Sequence, residues 1–249
     1  QGLVHIGDYA FQDCDELTKV TLPPNLAHIG DCAFRGCYRL TEVTFPPNLA
    51  HIGDYAFSGC HGLTEVTFPP NLAHIGDCAF GYCRKLTEVT FPPNLAHIGD
   101  YAFGGCHRLV RVTLPTGLAH IGDYAFRRCS GLIEITIPSG ITHIGYRAFA
   151  DCFSMEKVTF PEGKFNIVLG HFRENVVFST TVNFIDLGGN KFPVEGFEFT
   201  YNGEIQILDE DSVRDSISSN ENFVGKVENI GTLVINKTET GLVAEFTYV

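Results

Sequence analysis

The sequence lacks the features that mark several large functional classes. Basic residues are scarce: 17 Lys and Arg stand against 29 Asp and Glu, which gives a net charge of −12. Proteins that bind duplex nucleic acid need a clustered basic face, so this composition argues against that partner. No stretch approaches the roughly 20 consecutive apolar residues that span a bilayer. Gln1 begins no charged-then-apolar leader, and we expect a soluble chain whose export signal was removed or never present.

Enzyme motifs are missing as well. The chain contains no G-x-S-x-G nucleophile elbow, no H-E-x-x-H zinc motif, no phosphate loop and no dinucleotide-binding fingerprint. The acidic run at 209–211, with Asp215, lacks the Gly and the terminal Glu of an EF-hand loop. The sequence therefore predicts no catalytic residue, no cofactor and no metal site of a known type.

A repeat of 23 residues dominates what is present. Residues 41–57 read TEVTFPPNLAHIGDYAF, and these letters return at 64–80, with Cys for Tyr, and at 87–103 unchanged. One column holds His5, His28, His51, His74, His97, His120 and His143. Another holds Cys14, Cys37, Cys60, Cys83, Cys106, Cys129 and Cys152. A unit this short cannot enclose its own core, so the units must stack as a solenoid.

Each unit contains a predicted strand followed by a turn. The L-x-x-V-x-F spacing that starts at Leu40 favours one short strand per repeat and hence a parallel sheet. Pro46-Pro47 ends the strand, because proline has no N–H for the ladder. The next residue is Asn48, and its equivalents are Gly117 and Gly140 in later units, which predicts a type II-like turn with positive φ. A short helical turn is expected afterwards, on the outer side.

Eight positions of the unit are predicted to face the interior. They are Leu40, Val43, Phe45, Leu49, Ile52, Ala56, Phe57 and Cys60.

These residues closely resemble the BspA-like leucine-rich repeats, in which a leucine strand ending in Pro precedes L-x-x-I-x-x-x-A-F, two residues and Cys. The resemblance covers about residues 3–161 in seven units. Met155 and Tyr146-Arg147 depart from the pattern in the last unit, where deviation is expected. The family's proteins are largely bacterial surface proteins, some occur in microbial eukaryotes, and their repeats mediate adhesion to host matrix proteins or other cells. The resemblance implies a leucine-rich repeat solenoid over residues 1–163 and a role in adhesion.

The last third, residues 164–249, follows a different pattern and carries a net charge of −7. Alternating runs on either side of Asn202-Gly203 predict a hairpin from Phe197 to Leu208. Further predicted strands are Val176–Ser179, Val182–Leu187, Gly231–Asn236 and Leu242–Val249. We expect a β-rich C-terminal module that caps the solenoid or joins it to a neighbouring domain. Because Gly2 opens midway through a unit, we also expect the chain to be a fragment or a processed product.

Two repeated columns invite a chemical interpretation. Neighbouring cysteines in stacked coils would come within bridging distance, but the place of each Cys beside Ala-Phe favours packing in the core. Cys32 and Cys78 replace a tyrosine and give only a weak zinc signal. The His column could capture a transition metal, or it could be a half-buried edge copied by duplication. Stacked imidazoles repel when protonated, so we expect lowered His pKa values and lower stability toward about pH 5.

Two surfaces are candidates for binding a partner. The first is the exposed column of the predicted sheet, with Glu42, Glu65, Glu88, Arg111 and Glu134, between Lys19 and Lys157. The second is the set of variable positions around each Cys, where Arg and Tyr are the frequent anchors of interfaces. It comprises Arg35, Tyr38, Arg39, His61, Tyr82, Arg84, Lys85, His107, Arg108, Arg127, Arg128 and Phe153. Drift at unconstrained surface sites would explain the second set equally well.

These features together predict a non-catalytic scaffold for protein interaction or adhesion. We expect it to be extracellular or at a cell surface and to bind a protein or glycan partner, without nucleic acid and without a membrane span. One alternative is that the repeats hold up a ligand-binding or enzymatic C-terminal module. Another is that the His or Glu columns sequester a transition metal or calcium.

Overall fold

The computed structural model describes residues 2–160 continuously and, beyond them, the backbone of eight strands. The later strands are β15 (Phe165–Val168), β16 (Val177–Thr180), β17 (Phe184–Leu187), β18 (Asn190–Pro193), β19 (Glu198–Thr200), β20 (Val224–Gly225), β21 (Gly231–Thr238) and β22 (Gly241–Tyr248).

Each coil of the repeat contributes two short strands. The short strands of two residues are β1 (His5–Ile6), β3 (His28–Ile29), β5 (His51–Ile52), β7 (His74–Ile75), β9 (His97–Ile98), β11 (His120–Ile121) and β13 (His143–Ile144). The longer strands are β2 (Lys19–Thr21), β4 (Glu42–Thr44), β6 (Glu65–Thr67), β8 (Glu88–Thr90), β10 (Arg111–Thr113), β12 (Glu134–Thr136) and β14 (Lys157–Phe160).

The strands stack in parallel, so the predicted solenoid is confirmed. The His-Ile strands form one seven-stranded sheet in the order β1-β3-β5-β7-β9-β11-β13. The longer strands pair in the groups β2-β4, β6-β8-β10 and β12-β14, and every pair joins equivalent residues, such as Val66 with Val89. Each coil therefore lies in register on the coil before it.

The interior consists of columns of equal side chains. Leu, Ile, Ala, Phe and Cys columns are buried from the second to the sixth coil, as predicted, whereas Ile141 and Ile144 of the last coil are half-buried. Of the eight positions predicted to face the interior, Val43 and Phe45 are also only half-buried. The rings from Phe11 to Phe149 stack on one another with centroids 5.0–5.5 Å apart. Phe45, Phe68 and Phe91 form a second column, whose rings meet the first edge-on. Both ring arrangements are favourable for aromatic pairs, so each pair of neighbouring coils gains from ring contacts where both carry Phe.

Three details of the coil differ from the sequence prediction. The His-Ile strand was not predicted, because two residues are too few for a periodic signal. A series of tight turns stands where a helical turn was predicted. The N–H of Cys60 donates to the carbonyl of Phe57, while the N–H of Phe57 donates to the carbonyl of Ala79 in the next coil. The predicted positive φ at Asn48, Gly117 and Gly140 is wrong. The N–H of Leu49 bonds the carbonyl of Pro46 in a turn without a left-handed residue, which fits type I.

Left-handed backbone occurs instead at two other columns. Tyr9, Cys32, Tyr55, Cys78, Tyr101, Tyr124 and Arg147 have φ of 51–60°. The second column immediately precedes each Cys and has φ of 54–77° at Asp13, Gly36, Gly59, Tyr82, Gly105, Arg128 and Asp151. Non-glycine residues pay a conformational cost there, typically about 1 kcal/mol each. The corners of the solenoid are therefore strained positions that the stacking holds in place.

A ladder of aspartates joins the coils at one corner. Each Asp side chain accepts a hydrogen bond from the backbone N–H of the equivalent residue in the next coil, at 2.6–2.9 Å. The ladder runs from Asp8 to Asp123, whose acceptor atom is met by the N–H of Tyr146. Hydrogen bonds of this kind, to a charged acceptor, are stronger than neutral ones.

Beyond the repeat, the sheet continues past the last coil. β14 pairs in parallel with β16, and β16 pairs antiparallel with β19, which in turn pairs with β20. β22 lies between β15 and β21, and β17 pairs with β18. The four further strands predicted in this third each overlap an observed strand. The turn and second arm of the hairpin predicted at Asn202-Gly203 lie outside the described residues, and the domain boundary at 163 stays a prediction.

The glycine that precedes each ladder Asp allows the coils to approach closely. A Cβ at Gly76 would lie 2.5 Å from Oδ1 of Asp54 and 2.7 Å from the carbonyl carbon of Gly53. Gly7 occupies the same place in the first coil, but a Cβ there would meet nothing within 4 Å. The column therefore excludes side chains only where a preceding coil is present.

We predict that Gly76→Ala destabilises the protein by about 1–3 kcal/mol, because the added methyl overlaps backbone of the adjacent coil. Gly7→Ala is the matched control and should leave the free energy of unfolding unchanged within about 0.5 kcal/mol. Urea unfolding monitored by circular dichroism measures both. Equal effects of the two substitutions would contradict close coil-to-coil contact at this corner.

Candidate interaction surfaces

The acidic strip is the exposed column of the longer strands and consists of Glu42, Glu65, Glu88 and Glu134. These side chains point to solvent while the valine or isoleucine that follows each packs inward. This alternation is the normal consequence of the period of two in a strand. The structure therefore places the first predicted set on one face, with Arg111 in the same column.

Charges along the acidic strip are balanced near its ends and unbalanced at its centre. Nζ of Lys19 lies 2.7 Å from the Glu42 carboxylate. Glu134 is in register with Lys157, and Glu88 is in register with Arg111 on one side. On its other side Glu88 is in register with Glu65, so two like charges lie directly opposite each other. Such pairs destabilise a sheet.

The second predicted set divides into arginines with a partner inside the chain and cations without one. The guanidinium of Arg39 lies 2.6 Å from Glu16, and those of Arg127 and Arg128 lie 3.1 and 3.5 Å from Asp151. Arg35 stands over the Tyr55 ring at 5.8 Å. Four of the predicted arginines thus have an intramolecular role.

The remaining cations, Arg84, Lys85 and Arg108, lie on two adjacent coils. All three are exposed, and none makes an ion pair or side-chain hydrogen bond with any residue between 2 and 160. Tyr38 and Tyr82, both 49% exposed, lie on the same variable face. We call this surface the tyrosine ridge; it consists of Tyr38, His61, Tyr82, Arg84, Lys85 and Arg108.

Sequence reasoning named Tyr82 and His61 only as variable positions and did not recognise what supports them. Tyr82 occupies the left-handed column in which Gly36, Gly59 and Gly105 are found. A tyrosine whose equivalents in the two adjacent coils are glycines is the signal that marks the position, because a bulky residue is costly there unless it contributes something else.

The histidines form one continuous stack along the solenoid. Neighbouring rings have centroids 4.4–5.0 Å apart and planes within 12° of parallel. Nδ1 of His51, His74 and His97 is buried and has no hydrogen-bond partner in the described part of the chain. A buried nitrogen without an acceptor nearby favours the neutral ring with its proton on Nε2.

Burial is the main cause of the shifted titration of this stack. It lowers the pKa of His28, His51 and His120, and neighbouring imidazoles lower it further, while nearby Asp carboxylates oppose the shift. For His97, burial and the flanking His74 and His120 lower the pKa to about 4. For these four histidines the pKa is lowered as predicted, with burial as the larger cause and repulsion between imidazoles as the smaller one.

Parallel stacking also bears on the metal hypothesis. Rings with parallel planes direct their nitrogens the same way, so adjacent imidazoles do not converge on one ion. Between residues 2 and 160, no group of three or more His, Cys, Asp or Glu side chains is arranged to hold a metal. The geometry of the described residues therefore gives the metal alternative no support, and it stays a hypothesis.

We predict that stability falls on acidification through the His stack. A group with a lowered pKa in the folded state contributes stability that is complete above its unfolded pKa of 6.5 and is lost as pH falls toward about 4. The free energy of unfolding, measured by urea titration across this range, should decrease, and His97→Gln should flatten the decrease. Burial raises the pKa of Asp77, which acts in the opposite direction, so Asp77→Asn separates the carboxylate contribution. A flat profile for the unmodified chain would contradict the prediction.

The Cys column is part of the core, as the sequence predicts. The thiols from Cys37 to Cys152 are fully buried, and each donates to the carbonyl of a Phe at 3.1–3.3 Å. All nine cysteines are free thiols. Burial raises the pKa of Cys83 and Cys129 well above the usual range and that of Cys106 to about 12. Cys14 and Cys78 are only half-buried.

We predict that alkylation of the folded protein separates these two groups. Cys14 and Cys78 should react first with iodoacetamide, because thiolate formation requires access to water. The thiols from Cys37 to Cys152 should react only at the rate of unfolding. Mass spectrometry of peptides from timed samples measures each position, and fast modification of Cys83 or Cys106 in folded protein would contradict the buried ladder.

The sequence profile described as the BspA type leucine-rich repeat region matches the chain in six copies, over residues 4–108 and 57–176. The first match begins near the first described coil, and the second ends close to β16. None of the comparisons indicates an enzymatic family. Among curated proteins, none matches the sequence at a significant level.

The solved structures that resemble this fold include two bacterial leucine-rich repeat proteins. A leucine-rich repeat protein of T. pallidum is 32% identical with a TM-score of 0.57, and the match covers 61% of this chain and 72% of that one. A leucine-rich cell surface protein of Faecalibacterium prausnitzii is 25% identical with a TM-score of 0.50, and the match covers 65% of this chain and 52% of that one. In the described part of this chain, no helix has the length and apolarity needed to cross a bilayer.

Proposed function

The chain belongs to the BspA-type leucine-rich repeat family, and on that premise we propose that it is a non-catalytic scaffold that binds a protein partner at a cell surface. Membership supports a protein-interaction role. The location draws on the F. prausnitzii relative, which is described as a cell surface protein. The proposed partner is a protein with a basic surface, and the acidic strip is the face that binds it.

The observation that carries the proposal is the unbalanced pair at the centre of the strip. Glu65 and Glu88 are exposed on hydrogen-bonded strands and in register, so each raises the energy of the other. Nothing in the coil requires an acid at this place, since Arg111 and Lys157 occupy the same column. A basic partner surface would convert this repulsion into attraction and would also be steered toward the strip.

We predict opposite effects on folding and on binding when this pair is neutralised. The double variant Glu65→Gln/Glu88→Gln should raise the free energy of unfolding by about 0.2–1 kcal/mol at low ionic strength, because a like-charge contact is removed. Its affinity for the basic members of a panel of immobilised extracellular matrix proteins should fall at least about tenfold. Urea titration and surface plasmon resonance of the full chain measure the two effects.

Asp15→Asn/Glu156→Gln is the matched control, because it changes net charge equally at exposed positions outside the strip. It should leave the affinity for each matrix protein within about twofold. If both variants bind alike, or if the full chain binds no basic panel member, the acidic strip is not the binding face.

A further inference from the structure

The two tyrosines of the tyrosine ridge are supported in the same way. Each lies against a left-handed glycine of the following coil, where a Cβ would contact the ring. At Gly59 this Cβ would lie 3.7 Å from Cε1 of Tyr38, and at Gly105 it would lie 2.8 Å from Cδ1 of Tyr82. Half of each tyrosine stays exposed. Gly59 and Gly105 thus form two flat patches of backbone on the outside of the solenoid, each in contact with an aromatic ring. We call these two glycines the seats.

The seats have a regular spacing. Gly59 and Gly105 are equivalent positions two coils apart, so at the usual separation of strands they are about 10 Å from each other. Between them, the His61 ring stacks on Tyr38 with centroids 5.2 Å apart, and its Nδ1 bonds the carbonyl of Tyr82 at 2.8 Å. The backbone therefore fixes the imidazole as a link between the two tyrosines.

The cations of the ridge lie near Tyr82 along the chain and in the next coil. Arg84 and Lys85 follow Tyr82 in the same coil, and Arg108 lies in the next. At the two ends of the same face, Arg39 is paired with Glu16 and Arg128 with Asp151. On this variable face, among residues 2–160, the cations without an ion pair or a stacked ring are thus Arg84, Lys85 and Arg108.

We propose that the tyrosine ridge binds an extended anionic polysaccharide. The apolar face of a sugar ring packs on an exposed tyrosine, and carboxylate or sulfate groups on the sugars pair with Arg84, Lys85 and Arg108. The separation of the seats is close to the length of two sugars in an extended chain. The site is independent of the acidic strip, which has the opposite charge.

Two variants of the full chain test the two parts of the ridge. Lys85→Ala/Arg108→Ala removes charge at exposed positions without partners in residues 2–160. Tyr82→Gly removes one of the two aromatic rings without changing charge, and it introduces the residue found at 36, 59 and 105 of the same column. Because Tyr82 has a φ of 59°, glycine there relieves backbone strain and the fold should be kept. Thermal unfolding verifies this for each variant.

The control Ala50→Glu/Ala96→Glu lowers net charge as much as the double alanine variant, at exposed positions on another face. The probes are polygalacturonate, dextran sulfate, unsubstituted dextran and polyglutamate. Binding is measured by isothermal titration calorimetry at low and at moderate salt.

The expected result is binding of polygalacturonate, dextran sulfate or both, with little binding of dextran. Both ridge variants should lower the affinity for the anionic polysaccharide at least about tenfold, while the affinity of the control variant should stay within about threefold of the unmodified chain. Preference between the two polymers identifies carboxylate or sulfate as the anionic group. If Tyr82→Gly keeps the full affinity, the polysaccharide binds through charge alone and the proposal is overturned. Equal binding of polyglutamate with the same dependence on Tyr82 would also overturn it, because the occupant would then be an acidic polypeptide.

Discussion

Direct contact of each residue with its own equivalent one coil away is the constraint on which this structure depends. The coils are joined by backbone hydrogen bonds such as Phe57 N–H to Ala79 at 2.7 Å, and by strand pairs in exact one-to-one register. No coil encloses a core alone, so its stability comes from the coils above and below. A residue type is therefore favourable in a column only if it packs well against itself.

Interior and exterior columns differ in how well a residue packs against its own equivalent. Phenylalanine stacks on phenylalanine, and a buried thiol donates to a carbonyl of the preceding coil, so these columns repeat without penalty. Imidazoles and carboxylates repel their own kind when charged, and the His column stays neutral through burial. At the centre of the acidic strip the repulsion persists, whereas elsewhere the repeat varies and cations replace acids. Both proposed binding surfaces lie among these exterior columns, where residues that pack poorly against their equivalents are tolerated.

Much of the solenoid could be predicted from the sequence, because the columns of His5 to His143 and Cys14 to Cys152 show the register directly. Other features of the coil could not be predicted from the repeat pattern. The His-Ile strand is too short for periodicity, and the left-handed φ of Tyr55 and Cys78 follows no residue preference, since both types normally avoid it. The turn at Asn48 was wrongly given positive φ because Asn and Gly also occupy ordinary turns. Glycine seats beneath Tyr38 and Tyr82 require knowledge of which residues lie over which, and a single sequence does not supply it.

The aspartate ladder also gives the solenoid a direction. Every coil from the first to the sixth has a carboxylate that accepts the N–H of the next coil, and in the seventh coil this column holds Tyr146, whose N–H donates to Asp123. The ladder therefore links seven successive coils through six hydrogen bonds, and the sheet continues from β14 through β16. Each of these bonds runs from the backbone of one coil to the side chain of the coil before it, so the stack is polar along its axis.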